Sequence, residues 1–204
     1  MYKKYIKRLL DLVISLIVIV FFVPFMLIIA VIIKVDSPGS VFFIQKRVGL
    51  NKTYFNMIKF RTMKTDSPKE TPTHLLEAPE QYISRFGRAA RKISLDETPQ
   101  ILHILTGKMS FIGPRPALWN QYDLINERDK YGVNAIKPGL TGWAQINGRD
   151  ELPIEMKAKY DGEYVSKMSF IFDCKCFFGT IVSVIRCDGI VEGRPDKSER
   201  DMKK

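Results

Sequence analysis

Leu12-Val-Ile-Ser-Leu-Ile-Val-Ile-Val-Phe-Phe-Val-Pro-Phe-Met-Leu-Ile-Ile-Ala-Val-Ile-Ile33 is apolar apart from Ser15, and it runs from just after Asp11 to just before Lys34. As a straight helix it would be about 33 Å long, enough to cross a bilayer. A cleaved leader fits poorly, because the run is too long and no small-residue cleavage motif follows it. Lys3, Lys4, Lys7 and Arg8 precede the segment, while Lys34, Lys46, Arg47 and Lys52 follow it. Positive charge marks the cytoplasmic side, and a single span cannot place both flanks there. Pro24 lies near the middle, where it removes one helical hydrogen bond and favours a bend. Two readings are open: an ordinary span with a tolerated proline, or a re-entrant helix that enters one leaflet, bends at Pro24 and returns.

The chain has 204 residues, enough for one domain plus a membrane element. A soluble part of this size buries roughly 70% of its unfolded surface. Lysine and arginine total 32 against 22 acids, a net charge of +10 that favours anionic partners such as phospholipid headgroups, nucleotides or polyphosphates. Cys174, Cys176 and Cys187 lack metal-ligand spacing, and His74 and His103 stand apart, so neither a zinc site nor a disulfide framework is expected.

Val41–Ile44 and Tyr54–Ile58 read as short strands separated by a turn around Gly49-Leu-Asn51. Thr65–Pro79 reads as an exposed loop. Helices are expected over 79–91, over 94–105 with Gly107 as the C-cap, over 117–131 and over 152–165. Lys137–Arg149 reads as a glycine-rich loop. Phe170–Ile185 is either a core helix or one lying on the bilayer surface. The tail after Val191 is charged. Three segments follow: a membrane element over 1–36, a cytoplasmic domain over 37–193 and a charged tail over 194–204. The expected fold class is α/β, mainly helical with a small β-hairpin or sheet and interfacial amphipathic helices, and in the second of the two readings the N-terminal helix is re-entrant and bent at Pro24.

Chemistry concentrates around adjacent acids, Asp96-Glu97, set among Arg88, Arg91 and Lys92. Ser94-Leu-Asp-Glu97 is also a capping-box pattern, with Ser94 as N-cap and Glu97 reaching back to it. The cap and a catalytic dyad are compatible, because a helix N-terminus is itself an anion site. An ionised, poorly solvated aspartate is a competent nucleophile toward phosphorus, and Glu97 beside it suits Mg²⁺, a hard cation. In Gly113-Pro-Arg-Pro116, prolines fix the backbone around an arginine, which suits either bidentate phosphate contact or a plain rigid turn with a solvated guanidinium. Lys59 and Arg61 alternate at the end of a strand and share a face. The glycines of 137–149 allow close backbone approach to a ligand, and Trp143 suits stacking on a base or a place at the lipid interface.

Together, Lys59-Phe-Arg-Thr-Met63, Arg91-Lys-Ile-Ser-Leu-Asp-Glu97, Met109-Ser-Phe-Ile-Gly-Pro-Arg-Pro116 and Pro138-Gly-Leu-Thr-Gly-Trp-Ala-Gln-Ile-Asn-Gly-Arg149 resemble the bacterial sugar transferases. These are the monotopic phosphoglycosyl transferases that act on polyprenyl phosphate. The resemblance covers Tyr2 to about Gly193 and matches the minimal catalytic form. It implies transfer of sugar-1-phosphate from a UDP-sugar to undecaprenyl phosphate, with release of UMP. It implies ping-pong kinetics, with Asp96 as covalent nucleophile and Glu97 assisting through Mg²⁺, which the two acids would hold. Lys59, Arg91, Arg115, Gln145 and Arg149 are the expected substrate-binding residues. The family's membrane element breaks at a Ser-Pro pair. Here the pair is Val23-Pro24, so one hydroxyl that could satisfy freed backbone groups is missing. The implied place is the bacterial inner membrane, monotopic, with the catalytic domain and both termini cytoplasmic. The partners are the two substrates and an anionic bilayer, with no nucleic acid, and a homo-oligomer is left open. The competing sequence-level readings are a non-catalytic basic membrane adaptor, for which Arg115→Lys would be harmless, and a tethered nucleic-acid binder, suggested by charge alone.

Overall fold

The computed structural model describes residues 1–65, 67, 79–148 and 151–186. Arg149, His74, Cys187, most of the expected 65–79 loop and the whole 194–204 tail lie outside the described residues.

A π-helical turn, Tyr2–Ile6, leads into α1, Lys7–Asp36. α1 runs through Pro24 without a break, so the expected division into two helices is not seen. Its buried and half-buried positions, Asp11, Ser15, Val18, Ile19, Met26, Ile29 and Ile33, fall on one helical face. Val20 to Phe25 are exposed on every side. Both halves of the helix therefore pack on the body of the protein while the middle stands clear. In the first half, Val18 and Ile19 rest on Phe55, Met57, Ile101, Ile104 and Met109. In the second, Ile29 and Ile33 pack with Phe60, flanked by Phe86 and Leu95. Polar ties reinforce each end. Asp11 accepts from the Ser110 hydroxyl and the Phe111 N–H, each at 3.1 Å. The Arg61 guanidinium donates to the Ser37 and Pro38 carbonyls at 2.6 and 2.7 Å.

The expected hairpin is present and longer than the sequence suggested. β1, Phe42–Val48, pairs antiparallel with β2, Tyr54–Phe60, in a register that sets Phe42 opposite Phe60 and Val48 opposite Tyr54. Its turn uses Asn51 in the left-handed region, which asparagine tolerates better than most residues. α2, Arg85–Lys92, is capped by the Ser84 hydroxyl, which accepts from Gly87 N–H at 3.0 Å. A 3₁₀ helix, Leu95–Gln100, continues into α3, Ile101–Leu105. The single α-helix expected over 94–105 does not form, because Pro99 disfavours α geometry at Thr98 before it.

A second small sheet was not anticipated. β3, Ser110–Ile112, runs parallel to β4, Gly139–Thr141. Between them lies α4, Tyr122–Asp129, shorter than the expected 117–131 helix. The glycine-rich segment thus holds a strand, and then one helical turn, α5, Trp143–Ile146. α6, Ile154–Lys167, and α7, Phe170–Arg186, match expectation closely. α7 is no core helix: Phe170, Ile171, Phe177, Phe178, Ile181, Val182 and Ile185 are exposed along one stripe, while Asp173 and Cys176 face inward. Trp143 sits in the joint between α5, α6 and α7. Its indole N–H donates to Glu163 at 2.8 Å and its ring packs 4.9 Å from Phe172.

Candidate active site

Glu97 is the buried centre of the polar cluster. Lys59, at the end of β2, reaches it with Nζ 2.7 Å from Oε1. Arg115 grips it as a fork, Nη2 to Oε1 at 2.5 Å and Nη1 to Oε2 at 3.1 Å. The carboxylate is thereby satisfied by cations 38 and 18 residues away in sequence. It does not act as the box partner of Ser94. Ser94 itself is in the left-handed region (φ 55°), whereas an N-cap needs extended backbone. Burial pushes the Lys59 ammonium below the usual lysine range, and the Glu97 charge opposes that shift.

Arg115 is held by its neighbours' backbone. The Gly113 N–H donates to Thr141 O at 2.8 Å, and Gly139 N–H donates to Pro114 O at 2.8 Å. Arg47 of β1 donates to Pro116 O at 2.9 Å, and Val48 N–H to Ala117 O at 3.0 Å. The glycines of the 137–149 segment serve this packing. A Cβ on Gly139 would stand 2.2 Å from Gly113 N, and one on Gly142 would stand 2.1 Å from Gly113 O. Their purpose is close backbone packing, where the sequence had suggested approach to a ligand.

Asp96 is half-buried on the wall of a cavity of about 340 Å³ that Lys59, Arg91, Arg47 and Gln45 also line. Burial pushes its carboxyl above the ordinary aspartate range, and the neighbouring Glu97 charge adds to this. Lys59, Arg91 and Arg115 pull the other way without forming a hydrogen bond to it. Glu97 and Arg115 line a second, largely apolar groove of about 430 Å³ between α1 and α7, bounded by Val18, Phe22, Phe177 and Ile181. The two adjacent acids therefore look into different spaces, one rich in cations, the other almost wholly apolar. Of the expected substrate-binding residues, Lys59, Arg91 and Arg115 surround the pair. Gln145 opens onto the apolar groove, with Nε2 3.5 Å from Gly113 O and its Oε1 buried without a hydrogen bond. Sequence reasoning missed Arg47, which it had read only as flanking positive charge.

Among the described residues no cluster of three or more acids, histidines or cysteines could cage an ion. Mg²⁺ seldom needs one when phosphates are present, since it takes one or two carboxylates and completes its shell with substrate oxygens and water. The Asp96 carboxyl, which no described residue engages by a hydrogen bond, fits as one such ligand, whereas both Glu97 oxygens are held by Lys59 and Arg115.

Residues 2–187 match the sequence model of the family described as "Bacterial sugar transferase". The chain belongs to the bacterial sugar transferases. Among its relatives, a Bacillus subtilis protein described as an uncharacterized sugar transferase, EpsL, is 40% identical over 168 residues, covering 82% of this chain and 80% of the relative. The Xanthomonas campestris UDP-glucose:undecaprenyl-phosphate glucose-1-phosphate transferase is 39% identical, covering 88% of this chain and 38% of the relative. An Aeromonas hydrophila UDP-N-acetylgalactosamine-undecaprenyl-phosphate N-acetylgalactosaminephosphotransferase is 33% identical, covering 89% of this chain and 44% of the relative. This bacterial sugar transferase thus spans most of the Bacillus relative and under half of the other two. It is an enzyme of the transferase class, and its helix Tyr2–Asp36 is long and apolar enough to cross a membrane.

Proposed function

We propose that this bacterial sugar transferase moves a sugar-1-phosphate from a UDP-sugar to undecaprenyl phosphate. The observation that carries the reading is the placing of Asp96-Glu97 between a cationic cavity and an apolar groove. A water-soluble donor and a lipid acceptor need different surroundings for everything except the phosphorus they exchange. The named activities of the Xanthomonas and Aeromonas relatives support the same reading.

In the first half-reaction an Asp96 carboxylate oxygen attacks the sugar-bearing phosphorus of the donor. The bond from that phosphorus to the bridging oxygen breaks, and UMP leaves. In the second, a phosphate oxygen of undecaprenyl phosphate attacks the same phosphorus and releases Asp96, giving undecaprenyl-diphosphate-sugar. Each substrate reacts in turn, which gives ping-pong kinetics. Lys59, Arg91 and Arg115 supply fixed positive charge where the phosphoryl oxygens gather. Asp96 would hold Mg²⁺, which when bound neutralises phosphate charge, and Glu97 would join it on releasing Lys59 or Arg115.

The same helix sets the depth of the site. α1 sits in one leaflet with both termini cytoplasmic. Support comes from the packing of both its halves on one body, since a straight span would leave one end across the bilayer. The exposed run Val20–Phe25 is the part that enters lipid, and the apolar stripe of α7 lies alongside at the interface. The test is UMP release from a panel of UDP-sugars with undecaprenyl phosphate. Release that depends on the lipid acceptor or on a stoichiometric burst of protein-bound phosphosugar is expected. No UMP from any donor overturns the proposal.

A further inference from the structure

Positive charge also gathers well away from the acid pair. A cavity of about 290 Å³ opens where the start of α1 meets the end of α6 and the approach to β4, and Asp11 is the one acid among its lining residues. Lys3, Lys4, Lys7, Arg8 and Lys137 line it too. Three of these cations are pinned by the fold. Lys3 donates to Val165 O at 2.9 Å, Lys7 pairs with Asp173 at 2.6 Å, and Arg8 donates to the Ile104 and Leu105 carbonyls at 2.6 and 2.8 Å. Carbonyls orient a cation without cancelling its charge. Asp11, held by Ser110 and Phe111, keeps its negative charge and favours the charged form of Lys137, and the lining cations still outnumber it. Lys137 makes no hydrogen bond to a described residue, yet it is half-buried and converges with Arg8. A Cβ placed on Gly107 would lie 3.4 Å from Arg8 Nη2 and 3.6 Å from Lys137 Nζ. Burial and the Arg8 charge push the Lys137 ammonium below its usual range, a cost that an anion between the two would relieve.

We infer that this cavity binds a phosphoryl anion, the headgroup of an anionic phospholipid, at the foot of α1. The lipid source follows from its surroundings. Tyr5 and Leu9 are exposed on the same turns that carry Lys4, Lys7 and Arg8, and the Tyr2 ring packs edge-on against the exposed Phe170 at 6.3 Å. An acyl chain on that surface would bring its phosphate to the cations. The assignment rests on the membrane seating of α1 proposed above.

The test is thermal unfolding of the full chain in neutral detergent micelles, with added phosphatidylglycerol, phosphatidylcholine or inorganic phosphate. Phosphatidylglycerol should raise Tm and phosphatidylcholine should not. Removing two cations with Lys4→Gln and Lys137→Gln should weaken the apparent affinity for phosphatidylglycerol by roughly 25-fold, at about fivefold per cation. Lys137→Arg should restore most of its share. The charge-matched pair Lys130→Gln and Lys159→Gln, exposed lysines that do not line the cavity, should respond like the parent. Equal losses from both pairs would mean diffuse attraction and overturn the site. An equal Tm rise from inorganic phosphate, with nothing added by the lipid, would overturn the lipid assignment. Because Tm is the readout, a failed response leaves UMP release untouched, and loss of the catalytic reading would leave this one standing.

Discussion

Replacing Asp96 with asparagine should stop turnover and stabilise the protein at once. Asn keeps the volume and removes the charge. In the parent that charge is desolvated, lies beside the Glu97 carboxylate and has no hydrogen bond to a described residue. Desolvating an ionised carboxylate costs more than desolvating the neutral amide that replaces it, and the nearby cations Lys59, Arg91 and Arg115 offset part of the difference. A gain of about 1 kcal/mol is therefore expected, or roughly 2–4 °C in Tm for a chain of this size. UMP release should fall by at least about 10³-fold, since the nucleophile is gone. The pH dependence has a definite sign. Asp96 has a folded-state value above its ordinary one of about 3.9, so below that value it is protonated folded or unfolded and costs nothing. As pH rises through the ordinary value toward the raised one, the unfolded chain ionises first and the parent loses stability relative to the variant. The gap between the two should thus be small in acid and full near neutrality. Thermal melts from acid to neutral pH in detergent, with UMP assays alongside, measure both. A variant less stable than the parent, or a gap that widens toward acid, would mean that Asp96 is a satisfied ion-pair partner and would refute the reasoning.

Arg115→Lys keeps the charge but gives up one arm of the fork on Glu97. Allowing for its partial exposure, about 1.4 kcal/mol is lost, close to tenfold in kcat/KM for UMP release, with circular dichroism unchanged. Rates equal to the parent would favour a role for this cation in lipid attraction alone. Gly142→Ala should destabilise by about 2–3 kcal/mol, because its methyl would stand 2.1 Å from the Gly113 carbonyl oxygen that supports the arginine loop. A parental Tm would show that the loop yields freely. A cysteine at Tyr5, with Cys174 and Cys187 replaced, should resist membrane-impermeant maleimide in intact cells and react after lysis, and labelling of intact cells would refute the one-leaflet topology.

The hairpin, α6 and α7 were legible because each is long enough to express its period and is bounded by turn residues. β3 and β4 were not. Three residues cannot display alternation, and the parallel pairing that creates them is decided by glycines packing 26 residues apart, Gly113 against Gly139. Glu97 looked like a cap because Ser-x-x-Glu is a local pattern, whereas its partners Lys59 and Arg115 arrive from distant elements. Pro99 and the left-handed Ser94 then shape a 3₁₀ turn that a local pattern does not foretell. The grouping of Lys59, Arg91 and Arg115 followed the order of the family motifs, but the partition into a cationic cavity and an apolar groove depends on where α7 returns against α1.

Asp11 has a consequence for handling this protein. α1 carries the carboxylate that satisfies the first two residues of β3, and the aliphatic side chains that cover Phe60 and Met57. Cutting the chain after residue 36 to obtain a soluble fragment would strip acceptors from Ser110 and Phe111 and uncover two apolar clusters. α1 and the core are one folding unit, so a less apolar version calls for recolouring the outward faces of α1 and α7 while keeping Asp11, Ser15, Ile29 and Ile33 in place.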